Sequence, residues 1–380
     1  MSAPESGTEA LPSLFARWLG GALPGSVPQE TRATCADCAM CAPPGTIPTA
    51  SARYFRPDVK CCSYLPALPN FLVGGVLRDP EPAAQAGVRS IRERIRRRVG
   101  VSPLGLGPSP SYSALYERAA EEAFGRSKAL LCPHYVPELN HCGIWRHRNA
   151  VCATYFCKLV RGRVASRFWK SLQRTLELAE RGLAKWCLLE LGFQAATLDA
   201  LIQAGAWNGA AGALTAEAID QTVPEREYAQ AWNAWEGREV EFYERCAALV
   251  ERLSWEDVLA ICGQDLRADW LITQERFRQL CDLTVPTRLA AATVAGAEFL
   301  PGAVRLRTYS ALDPIDVPDR LIQTLRHFDG REISEVLAEI RGSLGLELEA
   351  SLVRKMVDFD LLRPIDPITG QISEGAESSA

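Results

Sequence analysis

The chain has 380 residues, 47% of them hydrophobic, and a formal net charge of −4. That apolar content suffices for a large core divided among two or three domains. The mild acidity excludes any bulk pull toward nucleic acid or an anionic membrane, and no apolar run approaches the roughly 18–20 residues of a membrane span.

Residues 1–25 carry two acidic groups, Glu5 and Glu9, and one basic group, Arg17, which follows Leu11 and Leu14. The basic start and long apolar stretch of a secretory signal are lacking, so a cytoplasmic, reducing location is expected. Residues 1–30 hold one short helix, around 14–19, before Gly- and Pro-rich coil. Residues 31–80 are rich in Pro, Gly and Cys with little periodicity, and read as loops organised by a metal rather than by a core. From 82 to 99 the spacing of Val88, Ile91, Ile95 and Val99 predicts a helix with one apolar stripe. Arg89, Arg92, Arg94, Arg96, Arg97 and Arg98 fill its other side, which reads as a solvated face. A breaker-rich loop spans 101–110, and a helix is expected over 113–124, capped by Ser111 or Ser113.

From 164 to 283 apolar residues recur at helical spacing, as in Phe168, Leu172, Leu176, Leu183 and Leu191, with breaks near 205–212 and 222–224. Seven of the nine tryptophans lie between Trp169 and Trp270, enough bulk for a core there. After Pro286 the pattern changes. Residues 293–310 alternate like a strand pair around Pro301-Gly302, and helices are expected over 318–328, 333–344 and 349–359. The expected fold is mainly α. A loop-rich, metal-organised domain covers 31–160, a helical region 161–285, and a small winged-helix-like module 290–366, with a disordered tail over 370–380.

The chemistry lies in the thiols. Nine of the 13 cysteines form two knots: Cys35, Cys38, Cys41, Cys61 and Cys62, then Cys132, Cys142, Cys152 and Cys157. Two-residue gaps such as Cys35-Ala-Asp-Cys38 let one loop aim several sulfurs at a common point. In a reducing compartment an odd thiol count argues for metal ligation and against a disulfide framework. Four thiolates suit tetrahedral zinc, and four also hold an iron–sulfur cluster. All nine are candidate ligands, in one centre or two, or in one centre with spare redox-active thiols. Cys187, Cys246, Cys262 and Cys281 lie singly among apolar helical residues and read as small buried hydrophobes. His134 and His141 flank the second knot as possible ligands or proton carriers, whereas His147 and Arg148 fall where they can support Cys152 from behind. His327 ends a helix in the C-terminal module and reads as a surface or capping residue.

The second knot resembles the YkgJ-type cysteine-cluster family, a zinc- or iron-chelating domain. Cys132-Pro133, Cys142, Ile144, Arg148, Cys152 and Tyr155 match its Cys-Pro, Cys-x-Ile-Tyr-x-x-Arg-Pro and Cys-Arg-x-aromatic pattern. Trp145, Asn149 and Ala153 depart from it, and residues 42–60 separate thiols that the family keeps together. The resemblance covers residues 31–160. Relatives with this pattern, notably flagellin lysine N-methylases, are associated with an iron–sulfur cluster and methyl transfer, which sets iron–sulfur ahead of zinc. Residues 304–310, 328–331, 335–340 and 353–362 resemble a PqqD-type winged-helix domain, which implies a protein or peptide partner. A duplex-reading role is disfavoured, because Arg354 and Lys355 of the last helix are matched by Glu349 and Asp358.

G-x-G-x-x-G after a strand, the P-loop, H-E-x-x-H and G-x-S-x-G are all lacking from the sequence. Cys35, Cys38 and Cys41 are spaced as in a bacterial ferredoxin, yet Gly45 stands where the fourth cysteine would fall. The two expectations are therefore a redox or group-transfer protein acting on a protein or peptide, and a non-catalytic zinc-organised scaffold.

Overall fold

The computed structural model describes residues 11–42, 54–203 and 219–366. Among these, helix outweighs strand, 53% against 13%, so the protein is mainly α. The break expected at 205–212 and the tail over 370–380 lie outside the described residues. Among the described residues no helix is long and apolar enough to cross a membrane. The chain forms two compact units, one of Met1–Tyr155 with Ser171–Ile272 and one of Phe156–Lys170 with Thr273–Ala380.

The first unit opens with α1 (Ser13–Gly20), whose Trp18 indole donates to Leu253 O at 3.1 Å. Strand β1 (Leu68–Pro69) leads into α2 (Asn70–Leu77). This helix is buried on every side but Gly75, which explains its invisibility to a periodicity search: an all-apolar helix has no polar face to set the phase. The expectation that 31–80 lacks core positions is therefore corrected over its last third. Next come α3 (Gln85–Arg97), the β2 (Val101–Ser102) and β3 (Gly105–Leu106) pair, and α4 (Pro110–Ala123). Strand β3 lies between β1 and β2, antiparallel to both. The cap of α4 is Ser109, accepting from Tyr112 N at 3.1 Å, rather than Ser111 or Ser113; Pro110 at the first helical position moves the start upstream.

Then follow the β4 (Tyr135–Val136) and β5 (His141–Cys142) hairpin, α5 (Ala150–Thr154), α6 (Gly162–Glu190), α7 (Ala195–Gln203), α8 (Glu225–Trp232), α9 (Glu239–Val250), α10 (Trp255–Cys262) and α11 (Gln264–Cys281). Helices α2 and α9 meet backbone to backbone. A Cβ on Gly74 would stand 1.8 Å from Tyr243 O, so the contact admits only glycine. The Asn70 amide donates to Pro103 O at 3.1 Å and to Ala184 O at 2.9 Å. The Tyr243 hydroxyl reaches Ser102 O at 2.7 Å. Phe71, Leu72, Val73, Val76 and Leu77 are buried around this joint, each stabilising by about 1.5–3 kcal/mol.

The second unit takes the start of α6, the end of α11 and two antiparallel sheets. In one, β6 (Arg288–Ala291) lies between β10 (Asp329–Glu332) and β11 (Leu362–Pro364). In the other, β8 (Ala303–Arg307) lies between β7 (Gly296–Leu300) and β9 (Ile315–Pro318), with the β7–β8 turn at the expected Pro301-Gly302. Helices α13 (Ile333–Leu344) and α14 (Ala350–Asp358) form where the sequence placed them. The helix expected over 318–328 shortens to α12 (Asp319–Ile322) and a single 3-10 turn. There the Thr324 hydroxyl donates to Leu321 O at 2.7 Å, a local bond that competes with helix. Leu289, Val304, Leu306, Val336, Ile340 and Val353 anchor the core. Arg161 pairs with Asp358 at 2.7 Å.

Candidate metal centre

Three loops of the first unit carry the thiols. Cys35, Cys38 and Cys41 lie in a loop closed by a bridge between Ala33 and Cys38 and by Cys41 N donating to Cys38 O at 3.1 Å. Cys61 and Cys62 occupy the 3-10 turn Lys60–Ser63, and Cys132 precedes β4. Cys132 N donates to Cys62 O at 2.6 Å, joining the second loop to the third. The hairpin pairs Tyr135 with Cys142. Cys152 is fixed by Asn149, whose side-chain oxygen caps α5 by accepting from Cys152 N at 3.1 Å and whose amide donates to Ala67 O at 3.2 Å. From α6, the buried Glu180 accepts from Ala150 N at 2.7 Å and holds the start of α5.

Six of the nine sequence-predicted thiols act electrostatically on one another. Burial pushes up the Cys35 thiol, and the Cys61 charge adds to this. Burial raises Cys132 to about 11. Cys142 rises through burial and Cys132, and Cys152 through burial, Cys61, Cys142 and Cys132. Cys61 and Cys62 form a hydrogen-bonded pair. That bond holds Cys61 down, at about 7, and drives Cys62 far up. Cys61 is exposed as a residue, although neighbouring atoms crowd its sulfur.

Three buried cations stand around these thiols, and sequence reasoning missed two of them. Lys60 has a left-handed backbone, φ 52°, and its ammonium donates to Cys35 O and, at 2.9 Å, to Asn140 O, tying the three loops together. Arg94, expected on the solvated face of α3, is buried, and donates to Val99 O at 3.1 Å and to Gly107 O. Arg148 lies 3.3 Å from the centre of the Trp145 ring and donates to Trp145 O at 3.0 Å. Burial lowers the Arg148 pKa, and Cys142, Cys152, Cys35 and Cys61 oppose the shift. Cys132 is the first group opposing the same effect at Arg94. The missed signals were the Lys60-Cys61-Cys62 run and the position of Arg94 three residues after Ile91, at the edge of the apolar stripe.

The His134 ring is buried. Ser90 gives its one hydroxyl proton to Gly87 O at 2.8 Å, so it accepts from Nδ1 of His134, also at 2.8 Å. Nε2 therefore carries a lone pair, and burial keeps the ring neutral, with its pKa near 3. This Nε2 and the Nη1 of Arg94 are both buried without a hydrogen-bond partner. His141 lies 3.0 Å from Cys142 O through Nδ1. His147 pairs with Asp79 at 2.8 Å and packs on Gly75 of α2. His327, at the end of its 3-10 turn, contacts Glu339 at 2.9 Å.

The other three predicted thiols are placed differently. Cys38 and Cys41 hydrogen-bond to each other, and Cys157 belongs to the second unit. Of the four cysteines read as buried hydrophobes, Cys187 and Cys246 are fully buried, Cys262 is half-buried, and Cys281 is exposed near the end of α11. The donor set fits a soft metal: six interacting thiols, compensating cations and one orphaned imidazole nitrogen. Yet among the described residues no three His, Cys, Asp or Glu side chains are gathered so as to hold a metal ion. The donors and the charge are in place, whereas a closed cage is not preformed. Comparison with protein-family models, curated proteins and solved structures finds no match.

Proposed function

We propose that Cys35, Cys61, Cys62, Cys132, Cys142 and Cys152 supply the thiolates of an iron–sulfur centre that serves redox or group-transfer chemistry on a protein or peptide. The observation that carries this reading is six interacting thiols on which buried cations act, Lys60 and Arg148 at Cys35, Arg148 also at Cys61, Cys142 and Cys152, and Arg94 at Cys132. A buried cation requires compensating negative charge. Protonated thiols supply none, and of the six only Cys61 is held low, whereas metal-bound thiolates would supply it beside these cations. The raised thiol pKa values describe sulfurs that ionise only when a metal or a cation favours the anion.

When bound, a cluster would supply one-electron chemistry or an iron site for group transfer. The chain itself would shield that site by burying Cys132 and would fix the Cys152 backbone through Asn149. Its buried cations would raise the reduction potential by offsetting cluster charge. The cysteine-cluster resemblance places iron–sulfur ahead of zinc. The winged-helix resemblance gives the second unit the role of holding a protein or peptide partner, in a cytoplasmic setting and without nucleic acid or membrane.

The test is anaerobic purification followed by iron, zinc and acid-labile sulfide analysis with a visible spectrum. Iron and sulfide in equal amounts, with absorbance bleached by dithionite, are expected. Stoichiometric zinc without sulfide would replace this reading by the scaffold one, and neither metal in fully reduced protein would end both.

A further inference from the structure

Cys38 and Cys41 are not among the six thiols assigned to the metal centre, and their arrangement has a chemistry of its own. They are the ends of a Cys-Ala-Met-Cys turn closed by Cys41 N donating to Cys38 O at 3.1 Å. The two thiols are in hydrogen-bond contact. Both residues are part-exposed. Arg32 pins the turn from outside, donating to Asp37 at 2.9 Å and to Cys38 O at 3.3 Å.

We infer that Cys38 and Cys41, rather than serving as ligands beside the six assigned thiols, form a redox-active dithiol that exchanges with a small-molecule or protein disulfide. Two part-exposed thiols with two residues between them and in mutual contact are placed to close an intramolecular disulfide. The thiolate of one cysteine of the pair attacks one sulfur of the partner disulfide; that S–S bond breaks, and the first partner thiol leaves. The other cysteine then attacks the Sγ of the first, closing the Cys38–Cys41 disulfide and releasing the second partner thiol. Two electrons pass to the partner, and the two protons lost by the pair appear on the two released thiols.

The inference goes beyond the metal reading and can fail without it. The reduced full-length chain is incubated anaerobically with glutathione disulfide, quenched with N-ethylmaleimide, and digested. Trypsin cleavage after Arg32 and Arg53 leaves Cys35, Cys38 and Cys41 in one peptide. The expected product is that peptide lighter by two hydrogens and carrying a single maleimide on Cys35, a state reversed by dithiothreitol. Cys38→Ser and Cys41→Ser should each abolish it, and the double variant should keep wild-type iron, zinc and sulfide. A disulfide involving Cys35, no intramolecular disulfide at all, or loss of metal from the double variant would overturn the inference. Should the wild-type chain hold no metal, the site of the disulfide decides alone.

Discussion

At the scale of single residues, Lys60 and Glu180 do the most to place the candidate ligands. Lys60 is buried in a left-handed conformation that an unbranched side chain tolerates only when its contacts over-determine it. In Lys60→Met the carbonyls of Cys35 and Asn140 lose their donor, which should cost about 1–3 kcal/mol and reduce retained metal. Urea unfolding together with metal analysis measures both; a midpoint and a metal content at wild-type values would contradict the role. Glu180 gives a pH prediction. Burial holds its carboxyl well above the usual carboxylate range. A folded-state pKa above the unfolded one means the stabilising proton is fully bound below about pH 4.5, and stability falls as pH rises toward the folded value. Glu180→Gln keeps the oxygen that accepts from Ala150 N and removes the ionisation, so its melting temperature should gain on wild type from pH 5 to pH 8. An equal difference at both pH values would refute this. The thiols were legible in the sequence because cysteine crowding is a signal in itself. Lys60, Arg94 and Glu180 were not, because a lone charged residue reads as solvated until its neighbours in space are known.

At the scale of elements, α2 is the instructive case. Its sequence, Asn-Phe-Leu-Val-Gly-Gly-Val-Leu, contains two glycines and no periodicity, the signature of a loop or a strand. It forms a helix because α9 presents a backbone close enough that only Gly74 fits, while Asn70 satisfies two carbonyls from other elements. Gly74→Val should therefore destabilise the protein by about 3 kcal/mol, as an overpacked core does, at an unchanged urea m-value. A shift below about 0.5 kcal/mol would show that α2 and α9 can move apart, and the contact would lose its weight. Elements with a single apolar stripe behaved otherwise. Helices α3 and α13 stand where their spacing placed them, because each needs only one partner surface and its own sequence reports which face that is.

At the scale of the whole molecule, the division into units falls inside α6 and α11. Apolar periodicity does not change within a continuous helix, so no sequence signal marks that division. The two units do differ in what stabilises them. The second has an apolar core of Leu289, Val304, Leu306, Val336, Ile340 and Val353. In the first, the joint of α2, α6 and α9 is likewise apolar, whereas the loops over 33–41, 60–63 and 132–152 are held by hydrogen bonds and by compensation between cations and sulfur. On the proposed metal reading, removal of metal should therefore act locally. Hydrogen exchange on chelator-treated protein, or on Cys61→Ser or Cys132→Ser variants, should show those three loops losing protection by roughly 10-fold or more. That corresponds to about 1.4 kcal/mol or more of local stability. Amides of α9 and of β6, β8 and β11 should keep their wild-type rates. Uniform deprotection of α9 along with the loops would mean that the metal stabilises the whole first unit. Unchanged rates in the loops would mean that the thiols hold nothing the fold depends on.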